Sequence, residues 1–322
     1  MNMRLPPALG RLGVRQVGRR VLDPGLPWAV QQRRLDQVLR AGPVPHGTVL
    51  RRRAVDGVPT EWVTAAGVRP ERTVVHFHGG GYCLGSAFMV RAWAAHLSRQ
   101  AVCQVVIPEY RLAPAHRYPA GLQDAAIVLN ALCAQLTPAS LVVSGDSAGG
   151  GLALAAVLAR RDGDGALPAG CILLSPWLDL GLDRRAAPDL VRRDVLLSPG
   201  WLEACARAYA DPASWADPAV SPLRAAHRGL PPLLIQAAAD ELLAPDADRL
   251  AASASAAGVD VSYTRWPGMW HDFTLQPGML AAADSALDQA AWFVTTVTGR
   301  LTPPVVSRPS QPAAGRRSGY SK

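Results

Sequence analysis

Ser147 stands at the centre of Gly145-Asp146-Ser147-Ala148-Gly149, a G-x-S-x-G pattern with an apolar run, 140–145, before it and a small-residue stretch, 149–160, after it. A strand that breaks into a helix over glycines exposes the serine hydroxyl and aims the first helical amides at any anion developing there. A hydroxyl is a poor nucleophile without a base, and the base needs an orienting acid. In the chain order serine, acid, histidine, only His227 and His271 follow Ser147. His227 precedes the strand expected to carry the acid, so His271, in RWPGMWHDF, is the expected base. Asp240, at the end of the apolar run 232–239, is the expected acid, with Glu241, Asp246 and Asp248 as near alternatives. A phosphate-binding turn is excluded because neither G-x-x-x-x-G-K-[ST] nor G-x-G-x-x-G occurs.

His78-Gly79-Gly80-Gly81 follows a second apolar run, 72–77. Glycines after a strand end turn backbone amides into a concavity that suits a tetrahedral oxyanion. The N–H groups of Gly80, Gly81 and Ala148 are assigned to that hole, and His78 to anchoring the loop. His76 and His78 have no carboxylate or third histidine near them in sequence, so no metal site is expected, and no cofactor. Tyr82, Phe88, Trp177, Trp201, Trp215 and Met269 are candidate walls of a substrate pocket.

These groups need a scaffold. Apolar runs at 72–77, 101–110, 140–145, 170–177 and 232–239, with a further strand at 259–266, alternate with helical patterns at 87–99, 119–135, 148–161, 246–257 and 280–297. This is the βαβ alternation of a parallel sheet buried on both faces. Ahead of it, 49–58 and 61–65 pair around Asp56-Gly57, with Arg51, Arg52 and Arg53 marking the first as an edge strand. A short helix is expected over 26–41. The gap from 178 to 225 is too long for a βα loop and contains a helix at 199–210. The expected division is a catalytic domain, 48–177 and 226–300, a helical cap, 1–47 and 178–225, and a disordered basic tail, 301–322.

The chain has 322 residues, 49% hydrophobic and 18% charged, which is a globular composition. Its net charge of +8 sits at the ends: residues 1–53 carry 11 Arg against 2 Asp, residues 300–322 carry 5 basic groups and no acid, and 54–299 come to about −6. A basic core groove is therefore missing, and nucleic acid is excluded as a partner. Five cysteines without C-x-x-C read as buried reduced thiols. Without a signal-type apolar segment near the start or an apolar run of 18 residues, the expectation is a soluble cytoplasmic protein, not stably inserted in a membrane, acting on a small-molecule ester, with a homodimer allowed.

The motifs together resemble the hormone-sensitive-lipase-like (bacterial type IV) esterase branch of the α/β-hydrolases. The resemblance spans about 48–297 and rests on HGGG at 78–81, EYRLAPAHRYPAGLQD at 109–124, GDSAGG at 145–150, LSPWLDL at 174–180, DPAVSPL at 217–223, DELLAPDADRLA at 240–251 and GMWHDF at 268–273. It implies an α/β-hydrolase fold, a mostly parallel central sheet flanked by helices with a helical cap. It also implies hydrolysis of short- to medium-chain acyl esters through Ser147, Asp240 and His271, without a cofactor. An amidase or N-acetyl hydrolase would use the same triad. Three positions depart from the family pattern: Ala115 stands where Glu is usual, Glu109 where Asp is usual, and Ala238-Ala239 precede Asp240 where a Gly is common.

Overall fold

The computed structural model describes residues 6–39 and 44–299, so the tail expected at 301–322 lies outside the described residues. In chain order the elements are α1 (Pro7–Val21), α2 (Trp28–Leu39), β1 (Val49–Val55), β2 (Val58–Thr64), β3 (Arg72–Phe77), α3 (Arg91–Ala101), β4 (Cys103–Pro108), α4 (Ala120–Gln135), β5 (Leu141–Asp146), α5 (Ser147–Asp162) and β6 (Gly170–Leu174). They continue with α6 (Pro188–Arg193), α7 (Pro199–Tyr209), β7 (Leu233–Ala238), α8 (Ala244–Ala256), β8 (Val261–Trp266) and α9 (Ala281–Val297).

One eight-stranded sheet has the order β1-β2-β4-β3-β5-β6-β7-β8. The β1/β2 and β2/β4 pairs are antiparallel and the others parallel. The strands β3, β5, β6 and β7 are buried along their whole length. Alternation of side chains explains why these runs carry no polar stripe: Val75, Phe77, Val143, Leu173 and Ile235 enter the core under α4, α5 and α8, whereas Val74, Val142, Ile172 and Leu234 enter the core under α3 and α9. β1 lies at the sheet edge and is exposed over Val49–Ala54, as its three arginines require. All five cysteines are buried and free of disulfides.

The long β6–β7 connection supplies α6 and α7, and these meet α1 and α2 over the carboxyl end of the sheet. Trp201 Nε1 on α7 donates to Gln31 Oε1 on α2 at 2.9 Å, and Gln31 is fully buried. At Gly18 of α1, a Cβ would lie 2.9 Å from the Leu196 carbonyl oxygen, so the small residue lets the two segments touch. Helix α1 is absent from the sequence expectation. Its glycines at 10, 13 and 18 dilute the apolar period, which leaves Pro7 at its start as the plainest sign of a helix. Among the described residues, no helix is long and apolar enough to cross a membrane.

Candidate active site

Strand β5 runs straight into α5, and Ser147 at the junction has φ 51°. The turn is closed by contact with β3: a Cβ on Gly149 would lie 2.0 Å from the Phe77 carbonyl oxygen. Asp146 connects the junction to the glycine loop, because its Oδ2 accepts the Gly79 N–H at 2.9 Å and its Oδ1 lies 2.8 Å from His76 Nε2. His76 Nδ1 in turn meets Ser144 Oγ at 2.9 Å, so both ring nitrogens are engaged in the core. His78 is fixed against the same loop: Nδ1 lies 2.8 Å from the Gly79 carbonyl, the ring stacks on Tyr110 at 4.5 Å, and Tyr110 Oη donates to the His78 carbonyl at 2.7 Å. Among the described residues no cluster of His, Cys, Asp or Glu could hold a metal ion.

His271 occupies the loop between β8 and α9, buried to 3% exposure. Its Nε2 lies 3.0 Å from Ser147 Oγ, and its Nδ1 lies 2.8 Å from Glu241 Oε2. The other Glu241 oxygen accepts the Ala238 N–H at 3.1 Å, so the carboxylate is held by the end of its own strand. Asp194 from the cap fixes the same turn by accepting the Leu242 N–H at 2.8 Å, together with those of Leu196 and Leu197. Burial pushes the Asp194 carboxyl up, against the opposing field of His271 and these amides. For His271, burial favours the neutral ring, but Asp272 and Glu241 outweigh it and hold the imidazole well above its ordinary value.

The expected acid is therefore corrected. Asp240 is one residue short of the position that reaches His271, and its carboxylate points the other way, to Arg11 Nη1 at 3.0 Å and Arg193 Nη1 at 3.5 Å. Arg11 also donates to the carbonyls of Gly268 and Arg193, so Asp240 anchors α1 to the rim of the site. Asp246 and Asp248 are engaged elsewhere. Asp246 is paired with Arg184 and accepts from the Leu178 and Asp179 amides, and Asp248 binds Tyr263 Oη and Arg265. His227 meets Ser253 Oγ and the Pro222 carbonyl and takes no part in this arrangement.

A cavity of about 450 Å³ opens onto Ser147, His271 and Asp272. Gly80 lines it beside Ser147, with φ 111°. At Gly81, with φ 63°, a Cβ would meet Cys205 Sγ and Trp201 of the cap, so that position has no room for a side chain. Ala148 is buried in the first turn of α5, whose leading amides have no intrahelical acceptor. Of the expected walls, Phe88 and Trp201 line the cavity. The remaining four do not. Tyr82 stacks on Tyr209 at 4.0 Å and packs near Trp177, which belongs to the same core; Trp215 lies under Arg207; Met269 packs in a separate cluster with Trp270 and Phe273. Of these, Tyr82 joins the cap to the sheet through its stack on Tyr209 of α7. The walls are mainly aliphatic and come largely from the cap, including Val14, Val17, Val21, Leu35, Leu39, Leu196 and Leu197.

A serine on a strand-to-helix turn, an imidazole at its hydroxyl and a carboxylate behind the imidazole, set at the carboxyl end of a mostly parallel sheet, define a hydrolase of the α/β type. A family profile described as alpha/beta hydrolase fold matches residues 74–275, and the chain belongs to that family, in its hormone-sensitive-lipase-like esterase branch. It is 35% identical over 257 residues to an acetyl-hydrolase of Streptomyces hygroscopicus, covering 80% of this chain and 85% of that one. It is 35% identical over 265 residues to an esterase of Acinetobacter venetianus, covering 82% and 87%. Among solved structures, an esterase from the bacterial hormone-sensitive lipase family superposes with a TM-score of 0.86 at 32% identity, covering 92% of this chain and 100% of that one.

Proposed function

We propose that the protein is a serine carboxylic-ester hydrolase for short- to medium-chain acyl esters, working through an acyl-enzyme with Ser147 as nucleophile, His271 as base and Glu241 as its orienting acid. The observation that carries this reading is the continuous chain Ser147 Oγ, His271 Nε2, His271 Nδ1, Glu241 Oε2, with separations of 3.0 and 2.8 Å. Glu241 accepts the Nδ1 proton, which leaves the Nε2 lone pair facing the hydroxyl. Nε2 takes the proton of Ser147 as Oγ attacks the ester carbonyl. The oxyanion is held by the amides of Gly80, Gly81 and Ala148, and the imidazolium returns its proton to the departing alcohol. Water repeats the cycle on the acyl-enzyme. The names of the relatives, acetyl-hydrolase and esterase, support ester substrates, and the aliphatic cavity supports an apolar acyl group.

The test is hydrolysis of p-nitrophenyl esters from acetate to palmitate beside the matched anilides, with mass-spectrometric mapping of the residue labelled by a fluorophosphonate. Ester turnover with one label on Ser147 is expected. Anilide turnover equal to that of the esters would make the enzyme an amidase. A label elsewhere, or no label, would remove Ser147 from the mechanism.

A further inference from the structure

The His271 imidazole has a third oxygen neighbour. Asp272 Oδ2 lies 3.1 Å from Nε2, the nitrogen that also meets Ser147 Oγ at 3.0 Å, while Nδ1 is occupied by Glu241. The Asp272 backbone is left-handed, with φ 57°, a region open to Asp more than to most residues. Its side chain borders the cavity, its Oδ1 is buried with no hydrogen-bond partner, and its N–H donates to Ser175 Oγ at 3.3 Å.

Proton counting makes this arrangement unusual. A neutral imidazole whose Nδ1–H is given to Glu241 has only a lone pair at Nε2. An ionised Asp272 would then set its own lone pairs against that one at 3.1 Å. A proton between Oδ2 and Nε2 removes the repulsion, but it also occupies the site that must receive the serine proton. The charged groups acting on the pair all favour keeping it: Glu241 at Nδ1, Asp146 on the β5 side and Asp194 from the cap. Burial pushes the Asp272 carboxyl up to about 7, with Asp146 and Glu241 adding to that and the imidazole opposing.

We propose that Asp272 is a positioning residue for the reaction, a second carboxyl partner of the imidazole, which shares one proton with Nε2 and must give it up before His271 accepts the proton of Ser147. The inference rests on the triad reading above. Below the pH of release the shared proton blocks the base. Above it the Asp272 carboxylate stabilises the imidazolium formed at each proton transfer, so one residue suppresses activity in acid and raises it in alkali. The acid limb of the rate profile consequently lies higher than two oxygens at the imidazole, Glu241 and Ser147, would place it.

The experiment is kcat/KM for p-nitrophenyl butyrate from pH about 4.5 to 9.5, read at the isosbestic wavelength of p-nitrophenol, in the wild type and in Asp272→Asn, Asp272→Gly and Asp272→Glu. Glycine suits the left-handed backbone and carries no group that could donate to Nε2. For the Asn and Gly variants the acid limb is expected to move down by about one pH unit or more, with a severalfold lower plateau, little change in KM and, because the tenfold effect of the shift is offset by the lower plateau, a gain of about two- to threefold near pH 5. The Glu variant is expected to keep the limb near its wild-type position. Limbs that superimpose on the wild type in both Asn and Gly variants overturn the proposal. The ring resonances of 15N-labelled His271, titrated in a Ser147→Ala background with and without Asp272→Gly, give the second measurement. A lower imidazole midpoint without Asp272 is expected, and an unchanged midpoint overturns the proposal even if turnover is lost. Full activity of Ser147→Ala would instead defeat the triad reading while leaving the ring titration to report on Asp272.

Discussion

The exchange of Asp240 for Glu241 is decided by two substitutions made side by side. In Glu241→Gln, the Gln carbonyl oxygen can keep the Ala238 N–H that Glu241 accepts at 3.1 Å. Its amide nitrogen then faces His271 Nδ1, in place of the oxygen now 2.8 Å away. An amide N–H there can only donate, so the ring must carry its proton on Nε2, facing Ser147 without a lone pair to receive the hydroxyl proton. Loss of the correct tautomer and of charge support lowers kcat by about 10³ to 10⁴ in comparable serine hydrolases, which is about 4 to 5.5 kcal/mol of barrier. Asp240→Asn loses a partly exposed ion pair with Arg11 and a longer, more exposed one with Arg193, together worth about 1 kcal/mol and so about fivefold in stability or rate. The assay is kcat and KM on p-nitrophenyl butyrate with circular dichroism to confirm folding. A Glu241→Gln enzyme within tenfold of wild type, beside an Asp240→Asn enzyme reduced a thousandfold, would refute the tautomer argument and restore Asp240 as the acid.

Ser147→Ala is expected to abolish ester turnover while remaining folded, as measured by kcat/KM and thermal melting; activity within tenfold of wild type would exclude Ser147 as nucleophile. Acyl length should raise kcat/KM by about fourfold per carbon at first, from about 0.8 kcal/mol per methylene, to an optimum at about C6, because the cavity of about 450 Å³ must also hold the alcohol part; an optimum at C12 or longer would show that the cap opens further than this cavity allows. Asp246→Asn leaves Arg184, whose side chain is only 6% exposed, without its carboxylate, and should lose about 3 to 5 kcal/mol in urea unfolding; a loss under about 1 kcal/mol would mean that Arg184 finds another partner or reaches water.

The central sheet is legible in the sequence because its strands are buried on both faces. A run such as 72–77 or 140–145 then shows no alternation of polar and apolar residues to blur its limits, and β3 and β5 fall within a residue of the expected positions. That Ser147 and His271 should meet is readable for a related reason: glycines and chain order leave few candidates. The acid is not readable at single-residue level. Asp240 and Glu241 are adjacent, and the choice depends on where β7 ends and how the next turn faces, which Glu241 settles by bonding back to Ala238. The pocket is the least legible part. Its walls come from α1, α2 and α6–α7, segments distant in sequence, so a large aromatic such as Tyr82 or Trp177 gives no sign whether it lines a cavity or joins two layers. The signal for α1 is Val14, Val17 and Val21 at helical spacing behind Pro7, which the intervening glycines obscure.

The order of synthesis places an unusual demand on the cap. Helices α1 and α2 are synthesised before the sheet they cover, yet Gln31 must wait for Trp201, 170 residues later, and Arg11 for Asp240, 229 residues later. At about 5 to 20 residues per second, the second wait lasts about 10 to 50 s. Strands β3 to β6 can pair in that interval, so the Ser147 turn can form while α1 and α2 are still without their partners. Val14, Val17 and Val21 face solvent or a chaperone until then. In the finished protein the same two helices are tied to the rest by side-chain bonds and packing rather than by sheet pairing, so their place depends on residues that lie far along the chain.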